Sequence, residues 1–119
     1  MQQNVKTFQM KQNDTLPALQ VNIKARGCLD SVICFNLSGV TACTFSMADD
    51  CGNLKISSMP AAINSYSGGS VQYNWIEGDT DTAGKFKAEF ELFFSDGKKM
   101  TVPTLGVIEV NILKDVNDV

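Results

Sequence analysis

The ten residues KFKAEFELFF, from Lys85 to Phe94, alternate between apolar and charged side chains almost without a break. Because successive side chains of a β-strand point to opposite faces, this alternation predicts a strand with one face on a hydrophobic core and the other in water. Phe93 is the exception on the charged face. The predicted core side chains are Phe86, Ala88, Phe90, Leu92 and Phe94, and the predicted solvent-facing ones are Lys85, Lys87, Glu89 and Glu91. Such a strand needs a second apolar layer to cover its phenylalanines.

Short β-rich segments separated by turn residues fill most of the remaining chain. No segment shows a sustained helical period, and turn signals such as DDCGN at 49–53 and SDGK at 95–98 separate the apolar runs. This pattern predicts an all-β protein, an immunoglobulin-like antiparallel β-sandwich of about eight strands in a single domain spanning 1–119. Residues 26–39 are expected to form a loop, and 59–69 an irregular segment. The predicted strands are 5–10, 16–25, 40–48, 54–58, 70–76, 85–94, 100–103 and 107–113.

The overall composition argues against several classes of function. The 119-residue chain carries a formal net charge of −3, which is unlike the basic surface of a nucleic-acid-binding protein. No apolar run approaches the roughly 20 residues of a transmembrane helix, and the start of the chain lacks the apolar segment of a secretory leader. We therefore expect a protein made in the cytoplasm, without a membrane partner. The absence of histidine excludes Ser-His-Asp and Cys-His nucleophile systems and imidazole metal ligands.

Four cysteines lie at positions 28, 34, 43 and 51, with irregular gaps and no CxxC pair. This spacing is not that of a zinc site. Cys43 falls in a β-rich run, where a free thiol behaves as a small buried hydrophobe. Cys28 and Cys34 flank a short loop and could form a disulfide in an oxidising compartment, whereas reduced thiols are expected in a cytoplasm.

An acidic segment, WIEGDTDTAG, concentrates three carboxylates at Glu77, Asp79 and Asp81. A calcium loop of the EF-hand type needs oxygen ligands at its first, third, fifth and twelfth positions. Counting from Asp79, alanine and phenylalanine occupy the fifth and twelfth positions, so only a looser calcium site that includes Glu77 remains open. The alternative is a structural loop, in which Asp and Thr side chains bond nearby backbone amides. The residue types favour the structural loop.

The end of this acidic segment also resembles the corner that opens a strand in immunoglobulin domains, where a tyrosine hydroxyl bonds back to the backbone. The aromatic residue of DTAGKF is Phe86, which lies one position late and has no hydroxyl. We therefore expect this corner to pack without that hydrogen bond.

Three longer stretches carry a resemblance to a known family: FQMKQNDTLPALQVNI, NLSGVTACTFSM and VQYNWIEGDTDTAGKFKAEFELFFSDGKKMTVPTLGVIEVNI. Together they are similar to the N-terminal domain of phage baseplate upper proteins over roughly residues 8–112, most specifically from Trp75 to Pro103. The resemblance implies an immunoglobulin-like sandwich in a tailed-phage virion, where such a domain anchors a receptor-binding or fibre component to a baseplate or tail. Proteins of that family continue into a long stalk, whereas this chain ends at Val119, and its stretch 26–39 is longer and more apolar than expected.

These features predict a non-enzymatic structural component of a tailed-phage virion, most consistent with a baseplate or tail protein assembled in the host cytoplasm. Its expected partners are other virion proteins, in a symmetric homo-oligomer, with no cofactor, catalytic residue or nucleic acid involved. An apolar loop or an unpaired sheet edge would make the contacts, although the loop could instead cover one end of the core. The candidate contact residues are Leu29, Val32, Ile33 and Phe35 in the loop, and Val102 and Leu105 near an edge strand.

Other functions remain open at this stage. A capsid or neck decoration protein fits the same resemblance. A carbohydrate- or cell-surface-binding module would need an exposed aromatic platform from Tyr66, Tyr73 or Trp75, although the last two share a strand face that favours the core. An enzyme would rely on Glu89 and Glu91, which alternate with lysines and so favour a solvated ion-pair face.

Overall fold

The computed structural model describes residues 6–26, 32–34, 36–103 and 108–116. Within these ranges the secondary structure consists of eleven β-strands joined by turns and loops, without a helix. Accordingly, no helix long and apolar enough to cross a membrane occurs in the described residues. The strands are β1 (Lys6–Lys11), β2 (Leu19–Asn22), β3 (Lys24–Arg26), β4 (Val32–Cys34), β5 (Val40–Asp49), β6 (Leu54–Pro60), β7 (Ala62–Ser65), β8 (Ser70–Tyr73), β9 (Gly84–Phe94), β10 (Lys99–Val102) and β11 (Ile108–Leu113).

The strands form two layers with the strand order of an immunoglobulin-like sandwich. The larger sheet has the order β1-β11-β9-β5-β6, with β10 also paired to β9, and the smaller sheet has the order β2-β8-β7. In immunoglobulin terms, β11, β9 and β5 take the places of strands G, F and C, and β2, β8 and β7 those of B, E and D. A separate ladder joins β3 to β4. Among the described residues every pairing is antiparallel except that of β1 with β11, which is parallel.

Strand β9 lies in the middle of the larger sheet and shows the predicted alternation. It pairs with β5 along one edge, and with β11 and then β10 along the other. The predicted core side chains Phe86, Ala88, Phe90 and Leu92 are buried, whereas Lys85 and the other charged side chains up to Glu89 are exposed. The face assignment made from the sequence is therefore confirmed from Lys85 to Phe90 and at Leu92, whereas Glu91 and Phe94 are each half-buried.

The core between the layers is organised around Phe45 of β5. Its ring stacks on Tyr73 of β8, with ring centroids 4.2 Å apart and planes inclined by 12°. It also meets Phe90 edge-on at 5.1 Å and Trp75 at 5.7 Å. Each such aromatic pair contributes about 0.5–1.5 kcal/mol beyond the area it buries. Tyr73 and Trp75 therefore hold the smaller sheet against the larger one from inside the core, where the sequence places them.

The predicted strand 16–25 is in fact two strands, β2 and β3. Residues Leu19 to Asn22 pair with β8, but Ile23 leaves this ladder and donates its backbone N–H to the Gly69 carbonyl at 2.7 Å. The chain then continues into β3, which pairs with β4 instead. This change of partner is a tertiary effect that an unbroken run of alternating residues does not reveal.

Two segments predicted to be irregular also contain strands. Residues 26–39 include β4, and 59–69 include the end of β6 and all of β7. In β7, Ile63 pairs with Val71 and packs against the core, while its neighbours Ala62 and Asn64 are exposed. One core side chain in a four-residue strand leaves no recognisable period, so the sequence predicted about eight strands where the described residues form eleven.

We expect Phe90→Ala to lower the free energy of unfolding by about 3–5 kcal/mol, because it opens a cavity at a site with no solvent exposure. Glu89→Ala, one residue away on the exposed face, should cost less than about 0.5 kcal/mol. Urea unfolding of both variants tests this, and equal losses of stability would contradict the two-faced assignment of β9.

Candidate functional site

The acidic loop that joins β8 to β9 places Asp79 against the core. Its Oδ2 atom accepts hydrogen bonds from the Tyr73 hydroxyl at 2.7 Å and from the Ile76 backbone N–H at 2.9 Å. The Asp79 backbone N–H donates in turn to the Ile76 carbonyl at 3.1 Å. These bonds close a turn, and for this reason the strand predicted over 70–76 ends at Tyr73.

Asp81 lies on the outer side of the same loop. Lys55 Nζ approaches its Oδ1 atom to 2.6 Å, and Thr82 Oγ1 donates to the same oxygen at 3.0 Å. The hydrogen bond from Lys55, followed by that from Thr82, holds the pKa of Asp81 below its usual value. Asp81 thus links the loop to the start of β6 on the neighbouring edge of the sandwich.

The three candidate calcium ligands therefore have different environments. Asp79 faces Tyr73, Asp81 faces Lys55, and Glu77 is exposed. The described residues contain no group of three or more His, Cys, Asp or Glu side chains placed to hold a metal. The geometry favours the structural interpretation, in which the carboxylates bond protein donors and shape the loop.

The start of β9 packs as expected, and a different tyrosine hydroxyl binds the acidic loop. Phe86 is buried at the start of β9 and makes no polar contact, as its chemistry dictates. The hydroxyl comes instead from Tyr73 on the preceding strand, and it bonds the Asp79 side chain rather than the backbone. The expectation that Phe86 packs without that hydrogen bond is therefore confirmed, and the bond between Tyr73 and Asp79 is a different contact that the sequence analysis did not consider.

A second loop, residues 12–18, is bound to the acidic loop along its length. Thr80 is buried and donates its hydroxyl to the Asp14 carbonyl at 2.8 Å, while its own carbonyl accepts from the Asn13 N–H at 2.9 Å. Gln12 Nε2 donates to the Asp81 carbonyl at 2.8 Å. The two loops consequently form one rigid end of the sandwich.

That end gathers most of the exposed apolar side chains of the described residues. Six large hydrophobic residues are between 44% and 89% exposed, and five of them lie on the loops and strand ends that meet there. We call these five residues the apolar end. They are Leu16, Leu54, Ile76, Leu113 and Val116.

Backbone registers and loop contacts place four of these residues at one end of the sandwich, and Val116 follows the last residue of β11 by three positions. Leu113 closes β11 opposite Lys11, the last residue of β1, from which the 12–18 loop departs with Leu16. Leu54 begins β6 and adjoins Lys55, the ion-pair partner of the acidic loop that carries Ile76. The sequence analysis missed this surface because each residue looks like an ordinary strand end or loop residue, and only the fold brings them to one end.

The partner contacts predicted from the sequence are only partly visible. Val102 is 4% exposed and belongs to the core, so its side chain is not available on the surface of a single chain, and that assignment is corrected. Strand β10 packs this side chain inward because Val102 pairs with Phe90 of β9. Val32 and Ile33 lie on β4, where only the backbone is described, and Leu29, Phe35 and Leu105 lie outside the described residues.

The residues considered for sugar binding and catalysis are dispersed. Of the three candidate platform aromatics, Tyr66 is 50% exposed and the other two are in the core. Glu91 lies 3.6 Å from Lys99 across the β9–β10 ladder. A shallow depression of about 160 Å³ adjoins Glu89 on the outer face of the larger sheet, and its lining comprises Ser46, Met47, Ala48, Leu54, Lys87 and Glu89.

The two cysteines whose side chains are described, Cys43 and Cys51, are both free but differ in burial. Cys43 is free and buried on β5, where burial raises the pKa of its thiol to about 11. Cys51 is free and exposed in the turn between β5 and β6. Cys28 lies outside the described residues and only the backbone of Cys34 is described, so their pairing stays a prediction.

Comparison with known proteins supports the fold. No family model matches the chain, and no curated protein matches it. Among solved structures, the crystal structure of CopC from Methylosinus trichosporium OB3b is similar, with a TM-score of 0.53 and 14% sequence identity, covering 98% of this chain and 91% of that one. Similarity at this level of identity shows the β-sandwich fold alone.

We expect the hydrogen bond between Tyr73 and Asp79 to be a measurable part of the stability. Tyr73→Phe and Asp79→Ala should each lower the free energy of unfolding by about 1–3 kcal/mol, because each leaves a partly buried partner unsatisfied. The double variant should lose less than the sum of the two, by about 1 kcal/mol or more. Glu77→Ala is the control and should be near neutral. Strict additivity in chemical denaturation would contradict the proposed bond.

The same pair predicts an alkaline instability. Burial, together with the hydrogen bond to Asp79, raises the pKa of Tyr73 well above its usual value of 10.0. The folded state therefore binds this proton more tightly than the unfolded state, and the stabilisation is complete below pH 10 and declines as the pH rises further. The stability difference between the natural protein and Tyr73→Phe should accordingly shrink above about pH 10. A constant difference from pH 8 to 11.5 would contradict this assignment.

Proposed function

We propose that this chain is a non-enzymatic structural component of a tailed-phage virion, a baseplate or tail protein that bridges or anchors other virion proteins by surface contact. The setting is supported by the sequence resemblance, which is strongest from Trp75 to Pro103. The mode of action is supported by the apolar end, the observation that carries the proposal.

The apolar end has the properties of a docking surface. Its five side chains are at least 44% exposed, whereas an isolated protein seldom gathers its exposed large hydrophobic residues at one place. The loops beneath them are held by the Asp79 and Thr80 hydrogen bonds, so little ordering would be needed when a partner binds. A rigid apolar surface with a polar rim is typical of a protein–protein interface.

The polar groups of the described residues favour a role in protein–protein contact over catalysis. Asp79 and Asp81 have protein donors as partners, and Glu91 lies beside Lys99. The depression near Glu89 measures about 160 Å³, well below the roughly 300–1,000 Å³ of sites that enclose a small molecule. These carboxylates bond lysines, loop hydroxyls and backbone groups that shape the fold, so a role in assembly fits them better than catalysis.

The experiment is to analyse purified particles of the phage that encodes this chain by quantitative mass spectrometry and immunogold labelling. We expect the chain in particles at a fixed copy number, with label at the tail or baseplate. In a complementation assay, Ile76→Asp combined with Val116→Asp should abolish incorporation, because buried charge would then oppose docking. Gln9→Glu, an exposed change on β1 away from both loops, is the control and should be incorporated normally. Absence of the chain from purified particles would overturn the proposal.

A further inference from the structure

The charges of the molecule are unevenly distributed between its two ends. Carboxylates outnumber lysines around the apolar end, by seven to four among the described residues. The carboxylates are Asp14, Asp49, Asp50, Glu77, Asp79, Asp81 and Asp115, and the lysines are Lys11, Lys55, Lys85 and Lys114. The apolar end is therefore surrounded by a net negative rim.

The opposite end of the sandwich carries a small net positive charge, because Lys24, Arg26, Lys98 and Lys99 outnumber Glu91 and Asp96 among the described residues. Strand β9 runs from the apolar end to Phe94, and the turn that follows it carries Asp96, Lys98 and Lys99. Strand β3, which begins at Lys24, also lies towards this end, because the chain reaches it after leaving β2. We call this the basic end. It also carries Tyr66, the sixth exposed hydrophobic residue, whose carbonyl accepts from the Leu37 N–H beside the β9–β10 turn.

The two lysines of the β9–β10 turn are presented on a fixed backbone. Phe94 and Lys98 pair across the turn at 2.8 Å, and the Asp96 side chain accepts from the Lys98 N–H at 3.0 Å. Lys99 is 54% exposed and its contact with Glu91 is 3.6 Å, a surface ion pair of small stabilising effect. Both ammonium groups can therefore be directed at a partner with little loss of stability.

We propose that the apolar end of one copy of this chain docks on the basic end of a second copy, so that copies associate head to tail. This inference deepens the proposed function and depends on it for its biological setting. Contact between two apolar ends would bring two net negative rims together, which is electrostatically unfavourable. Contact between unlike ends pairs the negative rim with lysines and covers the exposed apolar side chains.

The dimensions of the protein are compatible with such a contact. Its accessible surface is 7187 Å², so the ~800 Å² per partner of a standard specific interface would use about a ninth of it. A head-to-tail contact is heterologous, and repetition of it generates a ring when the rotation closes and a filament when it does not. Either outcome would provide the repeated copies of a particle component.

The test is sedimentation equilibrium of the purified chain and two complementary variants. Lys98→Glu with Lys99→Glu alters only the basic end, and Ile76→Asp with Val116→Asp alters only the apolar end. The natural chain should form a concentration-dependent series of oligomers, weakened when salt rises from about 0.05 M to about 0.5 M. Each variant alone should associate at least about tenfold more weakly. An equimolar mixture of the two should form a 1:1 complex and nothing larger, and Gln9→Glu should behave as the natural chain does.

Three results would overturn the proposal. The first is a natural chain that stays monomeric at millimolar concentration, which would leave the surface to a different partner. The second is a basic-end variant that self-associates as strongly as the natural chain while the apolar-end variant does not, which would indicate contact between two apolar ends. The third is association that neither variant weakens.

Circular dichroism should show that each variant is folded, and Val116→Asp alone, at the most exposed position, replaces the apolar-end pair if that pair unfolds. If the chain is found in particles but stays monomeric in solution, this inference fails and the proposed function stands. If the chain forms oligomers but is absent from particles, the proposed function fails and the inference stands.

Discussion

The stacking of Phe45 on Tyr73 is the contact on which the rest of the structure depends. It joins the central part of the larger sheet to the middle strand of the smaller one, with the two rings 4.2 Å apart. Stacking also determines where the Tyr73 hydroxyl points, and this hydroxyl reaches Asp79. The aspartate then closes the turn at Ile76 and so sets the course of the whole acidic loop. A single aromatic pair in the core thereby determines the shape of a surface loop.

The shape of this loop has consequences for the neighbouring segments. With Asp79 held by the core, Thr80 turns inward to bind the 12–18 loop, and Asp81 turns outward to Lys55. Asp79 and Asp81, whose sequence spacing left a looser calcium site open, bond separate protein donors instead. The same hydrogen bonds hold the two loops that carry Leu16 and Ile76 of the apolar end. The acidic loop therefore supports part of the apolar end, and this is the basis of the proposed role in assembly.

The accuracy of the sequence-based predictions follows the length of each pattern. The eleven residues of β9 and the ten of β5 alternate for long enough that their core faces could be recognised, and Cys43 and Phe45 are buried accordingly. Strand β7, with one core side chain, could not be recognised because its stability comes from its neighbours rather than from its own pattern. Val102 was named as a contact residue because it lies near a predicted edge strand, yet its pairing with Phe90 turns its side chain into the core.

By itself, the sequence determined that this is an all-β chain with a two-layer core and that no imidazole chemistry is available, because alternation and composition are local properties that can be counted along the chain. Only the tertiary structure decided that Tyr73 of β8 bonds Asp79, that the acidic residues support a loop, and that five scattered apolar residues lie at one end. These features arise from contacts between segments far apart in sequence, such as the 66-residue separation of Thr80 and Asp14. Their geometry depends on how the two sheets pack, which no local pattern encodes.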